Sequence, residues 1–246
     1  MTGISEAMTQ LRTAQKSSRG APAYSRFVNR PLGRPLAATA AAFGMTPSQV
    51  TLVSGACTFS GIAAIALLPI GWWSSVIITA LLVLGYALDS ADGQLARLTG
   101  AFSHSGEWLD HLFDAAKAVT IHLAVLLAWL RYPDLDPRLL VVPAVFAAVA
   151  STFFFGVVAV DLLRRIHRLE HPDRPIAEPA GRSTSVVYSL LVAPADYGLL
   201  CLLFLVLSVP WVFVPAYTGL ALVNALLLLA SAVRWHRSLR ALEQRR

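Results

Sequence analysis

Long apolar stretches separated by short polar segments dominate the chain. Each stretch is about 20 residues long, the length that an α-helix needs to cross about 30 Å of hydrocarbon. The six stretches cover residues 50–69, 72–88, 112–130, 139–160, 186–207 and 211–233. This pattern predicts an all-α integral membrane protein with six transmembrane helices.

The amino-terminal residues have a different pattern. Residues 1–23 are rich in Ser, Thr, Arg and Gly with little apolar periodicity, which predicts a flexible tail. Over residues 24–43, apolar side chains alternate with three arginines. That pattern is typical either of an amphipathic segment on the inner leaflet or of a simple basic topology signal. Thr46 and Pro47 then suit the N-cap and first turn of the first membrane helix.

Basic residues indicate which side of the membrane each connection occupies. Lys and Arg are concentrated before residue 47, over residues 164–182 and after residue 233, whereas the opposite connections carry Arg131 and Arg138. Because basic loops stay in the cytoplasm, both termini and the acidic cluster described below are predicted on the cytoplasmic side of the cell membrane. The predicted parts are a cytoplasmic tail with the amphipathic segment (1–45), a membrane domain (46–236) and a basic cytoplasmic tail (237–246).

Composition agrees with a membrane protein and disfavours nucleic-acid binding. The chain is 56% hydrophobic and 14% charged, whereas soluble domains are about 25% charged. Its net charge of +6 comes from basic residues that flank the spans, so anionic lipid headgroups are the expected partner. Cys57 and Cys201 lie in predicted spans without metal-type spacing, and we expect apolar packing without a disulfide.

Four aspartates and a glutamate interrupt the apolar pattern over residues 89–114. Ionisable side chains at membrane depth are costly, so a cluster of them indicates a metal, a substrate or a water-filled cavity. At about 100° per residue, Asp89 and Asp92 share one face of the second helix, while Asp110 and Asp114 share one face of the third. Two helix ends joined by a turn can direct all four carboxylates into one cavity.

Carboxylates that converge in this way repel one another unless cations neutralise them. Oxygen ligands suit Mg²⁺ or Mn²⁺ and do not suit zinc. Four acids suffice for two divalent ions, which are a recurring device of phosphoryl transfer. Arg97 lies at the same helix end and can complement a diphosphate.

The spacing of these residues follows one pattern, D-x-x-D-G-x-x-A-R, eight residues, G-x-x-x-D-x-x-x-D. Its fixed positions are Asp89, Asp92, Gly93, Ala96, Arg97, Gly106, Asp110 and Asp114. The pattern resembles the signature of the CDP-alcohol phosphotransferase family. In architecture the resemblance covers about residues 46–230, and its specific part is the pattern itself.

The resemblance implies an enzyme of phospholipid synthesis that transfers a substituted phosphate from a CDP-linked donor to an alcohol and releases CMP. It implies two divalent ions, Mg²⁺ or Mn²⁺, and a possible homodimer. The implied metal ligands are Asp89, Asp92, Asp110 and Asp114, with Asp114 also the base for the acceptor hydroxyl. The implied nucleotide-binding residues are Gly93, Ala96, Arg97 and Gly106, although small residues serve close helix packing in any bundle.

Glu107 and His111 leave the choice of donor open. The run G-E-W-L-D-H-L-F-D is similar to the G-E-x-x-D-H-x-x-D of the eukaryotic choline and ethanolamine phosphotransferases. There the Glu and His are thought to handle the proton of a lipid hydroxyl, which favours a soluble CDP-alcohol donor. The short chain favours CDP-diacylglycerol as donor, and this is our first hypothesis. The pair could form a base and its orienter, or His111 could only hydrogen-bond within the bundle.

The sequence leaves one competing function and the roles of two further groups of residues to be considered. A divalent cation transporter would spread its acids toward both membrane faces, whereas these crowd one end. The arginines of residues 164–182 suit either a phosphorylated acceptor or plain positive-inside charge. Asp196, in the fifth predicted span, either faces the cavity or pairs with an arginine.

Overall fold

The computed structural model of the chain describes residues 4–13, 22–132, 134–172 and 186–243, and within these ranges it contains helices and turns but no strand. The α-helices are α1 (Ile4–Thr13), α2 (Arg30–Ala42), α3 (Pro47–Leu67), α4 (Trp72–Thr99), α5 (His104–Trp129), α6 (Val141–Glu170), α7 (Val186–Leu191), α8 (Tyr197–Leu203) and α9 (Pro210–Glu243). A π-helical turn, Ser25–Asn29, precedes α2, and 3₁₀ turns lie at Pro137–Leu140, Ala193–Ala195 and Phe204–Val206. The predicted all-α class is confirmed for these residues.

Five helices in the described ranges are long and apolar enough to cross a membrane: α3, α4, α5, α9, and α6 with the 3₁₀ turn before it. The chain is therefore a multi-pass membrane protein. As the sequence predicts, Thr46 is the N-cap of α3 and Pro47 lies in its first turn. Gln49 completes a capping box, because Thr46 Oγ1 accepts from the Gln49 N–H at 3.3 Å and Gln49 Oε1 accepts from the Thr46 N–H at 2.9 Å.

The fifth predicted span, residues 186–207, is not one continuous helix. It is divided into α7, a 3₁₀ turn, α8 and a final 3₁₀ turn. Pro194 lacks a backbone N–H, and the Asp196 carboxylate caps α8 by accepting from the Gly198 N–H at 3.0 Å. These two residues interrupt the helix despite the apolar composition around them.

Contacts between residues show which ends of α4, α5, α6 and α9 lie together. Asp92 of α4, Gly106 of α5 and Asp161 of α6 line one cavity, so these parts of the three helices meet at one end of the bundle. Arg164 Nη2 donates to Ser238 Oγ at 3.0 Å, which places the last turns of α9 at that same end. We call this the acidic end.

The opposite end, which we call the far end, is closed by hydrogen bonds between connections. Arg131 donates to the carbonyl oxygens of Leu68 and Ile65 at 2.7 and 2.6 Å, where α3 ends. The Ser208 N–H donates to Ser75 Oγ at 3.2 Å, at the start of α4. The divided segment over residues 186–207 therefore finishes at the far end.

The amino-terminal residues are more ordered than the sequence pattern predicts. The structure has a helix, α1, with Ala7 and Leu11 fully buried in a cluster that includes Ala37 of α2 and Leu95 of α4. The expectation of a flexible tail is therefore wrong for residues 4–13, because two apolar positions four apart suffice to dock a short helix. Residues 14–21 lie outside the described residues.

The predicted amphipathic segment is helical, with small residues buried and several large apolar side chains exposed. Its small residues, Gly33, Ala37 and Ala38, are buried in the bundle. Phe27 and Phe43 are exposed, which suits contact with lipid. Cys57 is half-buried and Cys201 is buried, and both are free thiols.

Candidate active site

The turn between α4 and α5 brings the two halves of the acidic motif together. Gly100 ends α4 with a φ of 68°, in the left-handed region that favours glycine. Ser103 then caps α5, because its Oγ accepts from the Gly106 N–H at 3.0 Å. The short connection lets the end of α4 and the beginning of α5 face one cavity.

A cavity of about 720 Å³ lies at the acidic end. Eight of the ten predicted site residues line it, namely Asp92, Gly93, Ala96, Arg97, Gly106, Glu107, Asp110 and His111. The remaining two, Asp89 and Asp114, lie one helical turn further into the bundle on α4 and α5. Asp161 and Arg165 of α6 also line the cavity, together with the first turns of α3 and the connection between α4 and α5.

Asp92 is held from a third helix. Its side chain is buried, and its Oδ2 accepts a hydrogen bond from Thr51 Oγ1 of α3 at 2.6 Å. A hydroxyl that donates to a carboxylate forms a short, charge-assisted bond that fixes the orientation of the carboxylate. The sequence did not identify Thr51, because a threonine in an apolar span carries no signal until its partner is known.

The two deeper aspartates share a lysine that sequence reasoning also missed. Lys117 Nζ lies 3.2 Å from Asp89 Oδ1 and 2.5 Å from Asp114 Oδ1. The rings of Tyr86 and Tyr197 lie 5.9 and 5.2 Å from the same nitrogen, measured to their centroids. A lysine three residues after Asp114 within an apolar span was the available signal.

Glu107 contacts α6 more closely than it contacts His111. Arg165 Nη1 and Nη2 lie 3.1 and 2.8 Å from the two Glu107 oxygens, and Nη2 lies 3.3 Å from Asp161 Oδ2. His111 Nε2 lies 4.0 Å from Glu107 Oε1, which is too long for a hydrogen bond. A pair separated by 58 residues in sequence could not be read from local spacing.

The side chains at this end form a donor set suited to hard cations. One ligand atom each from Asp110, His111 and Asp114 lies within 4.8 Å of the others. Carboxylate oxygens are the ligands that Mg²⁺ and Mn²⁺ prefer. The oxygens of Asp89 and Asp92 lie on the facing helix, so the residues present fit a divalent metal site.

The two motif glycines have different surroundings. A Cβ at Gly93 would meet only Arg97 Nη1, at 3.6 Å, so this part of the cavity wall is open. A Cβ at Gly106 would lie 2.9 Å from Ser103 Oγ and 3.4 Å from Ser48 Oγ. Gly106 therefore permits the close approach of its own N-cap and of α3.

Asp196 serves a structural purpose away from the cavity. Its carboxylate accepts from the Ser25 N–H at 2.7 Å, from Tyr86 Oη at 3.1 Å and from the Gly198 N–H at 3.0 Å. It thereby joins the segment before α2 to α4 and α8. Asp196 is absent from the residues that line the acidic-end cavity in the described part of the chain.

The basic residues predicted in a polar connection lie partly on a helix. Because α6 continues to Glu170, the residues Arg164, Arg165, His167 and Arg168 are helical. Arg174 and Arg182 lie outside the described residues. Arg165 lines the cavity, whereas Arg164 contacts α9.

Comparison with known proteins identifies the class to which this architecture and this site belong. Residues 44–235 match the family model of CDP-alcohol phosphatidyltransferase. The chain therefore belongs to the CDP-alcohol phosphatidyltransferase family, and the resemblance inferred from the motif is confirmed. The family transfers substituted phosphate groups from a CDP-linked donor to an alcohol acceptor and generally depends on divalent metal ions.

One curated relative carries a specific name. The phosphatidylinositol phosphate synthase of Mycolicibacterium smegmatis is 33% identical over 122 residues, which are 49% of this chain and 51% of the relative. The matched part thus spans about half the length of that relative.

Proposed function

We propose that the chain transfers a phosphatidyl group from CDP-diacylglycerol to a hydroxyl group of a polar alcohol and releases CMP. The observation that carries this proposal is the meeting of both halves of the motif at one cavity, in a chain of this family. The cavity volume of about 720 Å³ lies within the range of about 300–1,000 Å³ that is usual for small-molecule sites.

The reaction needs one base and a site that accepts negative charge. The acceptor oxygen bonds to the phosphorus that bears diacylglycerol, the bond from that phosphorus to CMP breaks, and CMP leaves with the electron pair. Asp114 accepts the hydroxyl proton. Arg97, on the cavity wall, complements the charge of the diphosphate.

Four aspartates would hold two divalent ions, Mg²⁺ or Mn²⁺. The proposed ligands are Asp89, Asp92, Asp110 and Asp114. When bound, such ions neutralise charge on the phosphate oxygens and on the leaving group. Gly93 and Ala96 have small or no side chains on the α4 side of the cavity, which leaves room for the nucleotide.

The acceptor to test first is a phosphorylated polyol. The relative is named for the synthesis of phosphatidylinositol phosphate, which directs attention to inositol phosphate as acceptor. Arg165 lies on the cavity wall and would contact that phosphate by exchanging a carboxylate partner for it, since guanidinium groups suit phosphate oxygens. Glu107 and Asp161 hold that guanidinium from two sides.

A second candidate function uses a soluble CDP-alcohol as donor and a lipid hydroxyl as acceptor. His111 favours it, because it lines the cavity and its Nδ1 has no hydrogen-bond partner among the described residues. The Arg165 pair disfavours it, because an arginine-bound Glu107 is a poorer base or orienter. We therefore keep CDP-diacylglycerol as the proposed donor.

We further propose six membrane crossings, with both termini and the cavity on the cytoplasmic side of the cell membrane. The divided segment would supply the remaining crossing, because it follows α6, whose last turns lie at the acidic end, whereas Ser208 reaches the far end. Both α1 and the last turns of α9 pack at the acidic end, which agrees with an even number of crossings. The homodimer implied by the family resemblance stays a prediction.

A donor and acceptor panel tests the proposal. Purified full-length protein would receive radiolabelled CDP-diacylglycerol, CDP-choline or CDP-ethanolamine, each with inositol phosphate, glycerol phosphate, inositol or diacylglycerol. We expect Mg²⁺-dependent CMP release from CDP-diacylglycerol with a polar alcohol. Release only from CDP-choline or CDP-ethanolamine with diacylglycerol would show that the donor is assigned wrongly.

Two aspartate variants belong in the same panel. Asp114→Asn should lower CMP release by about 100-fold or more, because general-base catalysis contributes about 10²–10⁴-fold. Asp161→Asn makes the same chemical change on the same cavity, outside the motif, and should cost less than about tenfold by comparison. Equal losses in the two variants would contradict a specific role for Asp114.

A further inference from the structure

Lys117 occupies a closed environment that neither the family motif nor the proposed reaction explains. Its side chain is 13% exposed and touches Asp89 and Asp114, whose side chains are 22% and 25% exposed. The two tyrosine rings of the site, Tyr86 and Tyr197, lie on its other sides. The ammonium group is thus held by two carboxylates and two aromatic faces.

This arrangement is fixed by several elements. Asp89 comes from α4, Asp114 and Lys117 come from α5, and Tyr197 begins α8. Tyr86 is itself held, because its hydroxyl donates to Asp196 Oδ1 at 3.1 Å. A buried ammonium costs much free energy unless it is paired, and here the pairing groups are the proposed metal ligands.

The charges of the site show why this pairing matters. The four motif aspartates carry four negative charges when ionised, and two divalent ions would balance them. Lys117 adds one positive charge beside two of these carboxylates, so the same oxygens attract both the ammonium and the ions. Like charges that share a ligand repel each other, and the repulsion weakens the binding of each.

We propose that Lys117 is a positioning residue, an internal cation that holds Asp89 and Asp114 in place and lowers the affinity of the site for divalent ions. The inference rests on the metal site in the proposed function. It adds that the ions compete with a side chain of this chain. Removal of the ammonium charge therefore strengthens ion binding while it releases Asp114 from its orienting partner.

The test measures Mn²⁺ binding to purified full-length protein by titration calorimetry, without donor or acceptor. Lys117→Met should bind Mn²⁺ about tenfold more tightly than the unaltered chain, since a unit charge a few ångströms from the ion is removed. Lys117→Arg keeps the charge and should stay within about threefold. Arg138→Met, a matched loss of one positive charge at an exposed far-end position, should leave the affinity unchanged.

Enzyme kinetics of the same Lys117 variants provide a second measurement. Lys117→Met should need less Mg²⁺ for half-maximal CMP release, yet its kcat should fall because Asp114 has lost its partner. Lys117→Arg, which keeps the positive charge, should retain much of the kcat of the unaltered chain. A lysine that served only to stabilise the fold would not produce tighter metal binding together with slower turnover.

Lys117→Gln provides a second variant if Lys117→Met does not fold. It is uncharged but keeps a polar group at this position, and it should also bind Mn²⁺ more tightly. Unchanged or weaker Mn²⁺ binding in the folded uncharged variants would overturn the inference alone. Absence of Mn²⁺ binding in every protein, including the unaltered chain, would overturn both the inference and the metal part of the proposed function.

Discussion

Thr51 Oγ1 lies 2.6 Å from Asp92 Oδ2 and 3.1 Å from the Pro47 carbonyl oxygen, and a hydroxyl has one proton to donate. The shorter contact and the negative charge favour the carboxylate as acceptor. Hydrogen bonds to charged groups contribute about 1.5–3 kcal/mol. At the residue scale, a neutral side chain on α3 thus orients a proposed metal ligand on α4.

Thr51→Val should therefore weaken metal activation without loss of the fold. We expect the Mg²⁺ concentration for half-maximal CMP release to rise about tenfold, the equivalent of about 1.4 kcal/mol. Thr79→Val is the matched control, because Thr79 Oγ1 is buried without a hydrogen-bond partner among the described residues. If both variants need the same Mg²⁺ concentration as the unaltered chain, the orienting role of Thr51 is wrong.

Sequence reasoning found the residues whose partners are close in sequence. The spacing of Asp89 and Asp92, and of Asp110 and Asp114, already places each pair on one helix face. Local spacing does not distinguish Arg165 from the other basic residues of this region, because its partner Glu107 lies on another helix. Such contacts depend on how helices pack, and local spacing does not determine packing.

At the scale of elements, the contact between α2 and α4 is unusually close. A Cβ at Gly33 would lie 2.6 Å from Gln94 Nε2 and 3.0 Å from Ser90 Oγ. Gln94 cannot easily move aside, because it is 1% exposed and its Nε2 donates to the Arg30 carbonyl oxygen at 3.1 Å. The glycine therefore sets the distance between the two helices.

Gly33→Ala should lower the free energy of unfolding by about 1–3 kcal/mol, the usual cost of an extra methyl group in a packed site. Gly219→Ala in α9 is the control, since a Cβ there would meet nothing within 4 Å. That control should stabilise by about 0.5–1 kcal/mol, because alanine favours a helix interior over glycine. The thermal midpoints of both variants in one detergent would check the opposite signs, and equal shifts would contradict the close contact.

The order of elements was predictable where apolar runs coincide with continuous helices. The helices α3, α4, α5, α6 and α9 each contain most of a predicted span. The division of residues 186–207 into short helices was not predicted, although Pro194 and Asp196 indicated a break in the helix. Apolar content reports burial or contact with lipid, whereas the backbone of a helix also depends on N–H groups and caps.

At the scale of the whole molecule, α3 and α4 are the most buried of the candidate spans, α6 and α9 are the least buried and form an outer set, and α5 lies between them at 33%. The apolar windows of α3 and α4 are 44% buried, whereas those of α6 and α9 are 17% and 22% buried. The exposed side of the outer set is rich in large apolar groups such as Phe155 and Leu229. In lipid such a surface needs no protein partner.

The number and direction of the crossings can be tested with three single cysteines in a Cys57→Ala background, which leaves the buried Cys201 in place. Trp73→Cys lies at the far end, Phe102→Cys lies in the turn of the acidic end, and Arg240→Cys lies in the last turns of α9, with all three positions exposed. An impermeant maleimide added to intact cells should label only Trp73→Cys, because basic flanks keep the acidic end in the cytoplasm. Permeabilised cells should show label at all three positions.

Arg240→Cys separates six crossings from five. If the divided segment crosses the membrane, α9 returns to the acidic side and Arg240→Cys shares the protection of Phe102→Cys. If the segment lies on one surface, α9 must run in the opposite direction, and Arg240→Cys becomes labelled in intact cells. The contact between Arg164 and Ser238 favours the first result, since it joins α9 to the end of α6 that lines the cavity.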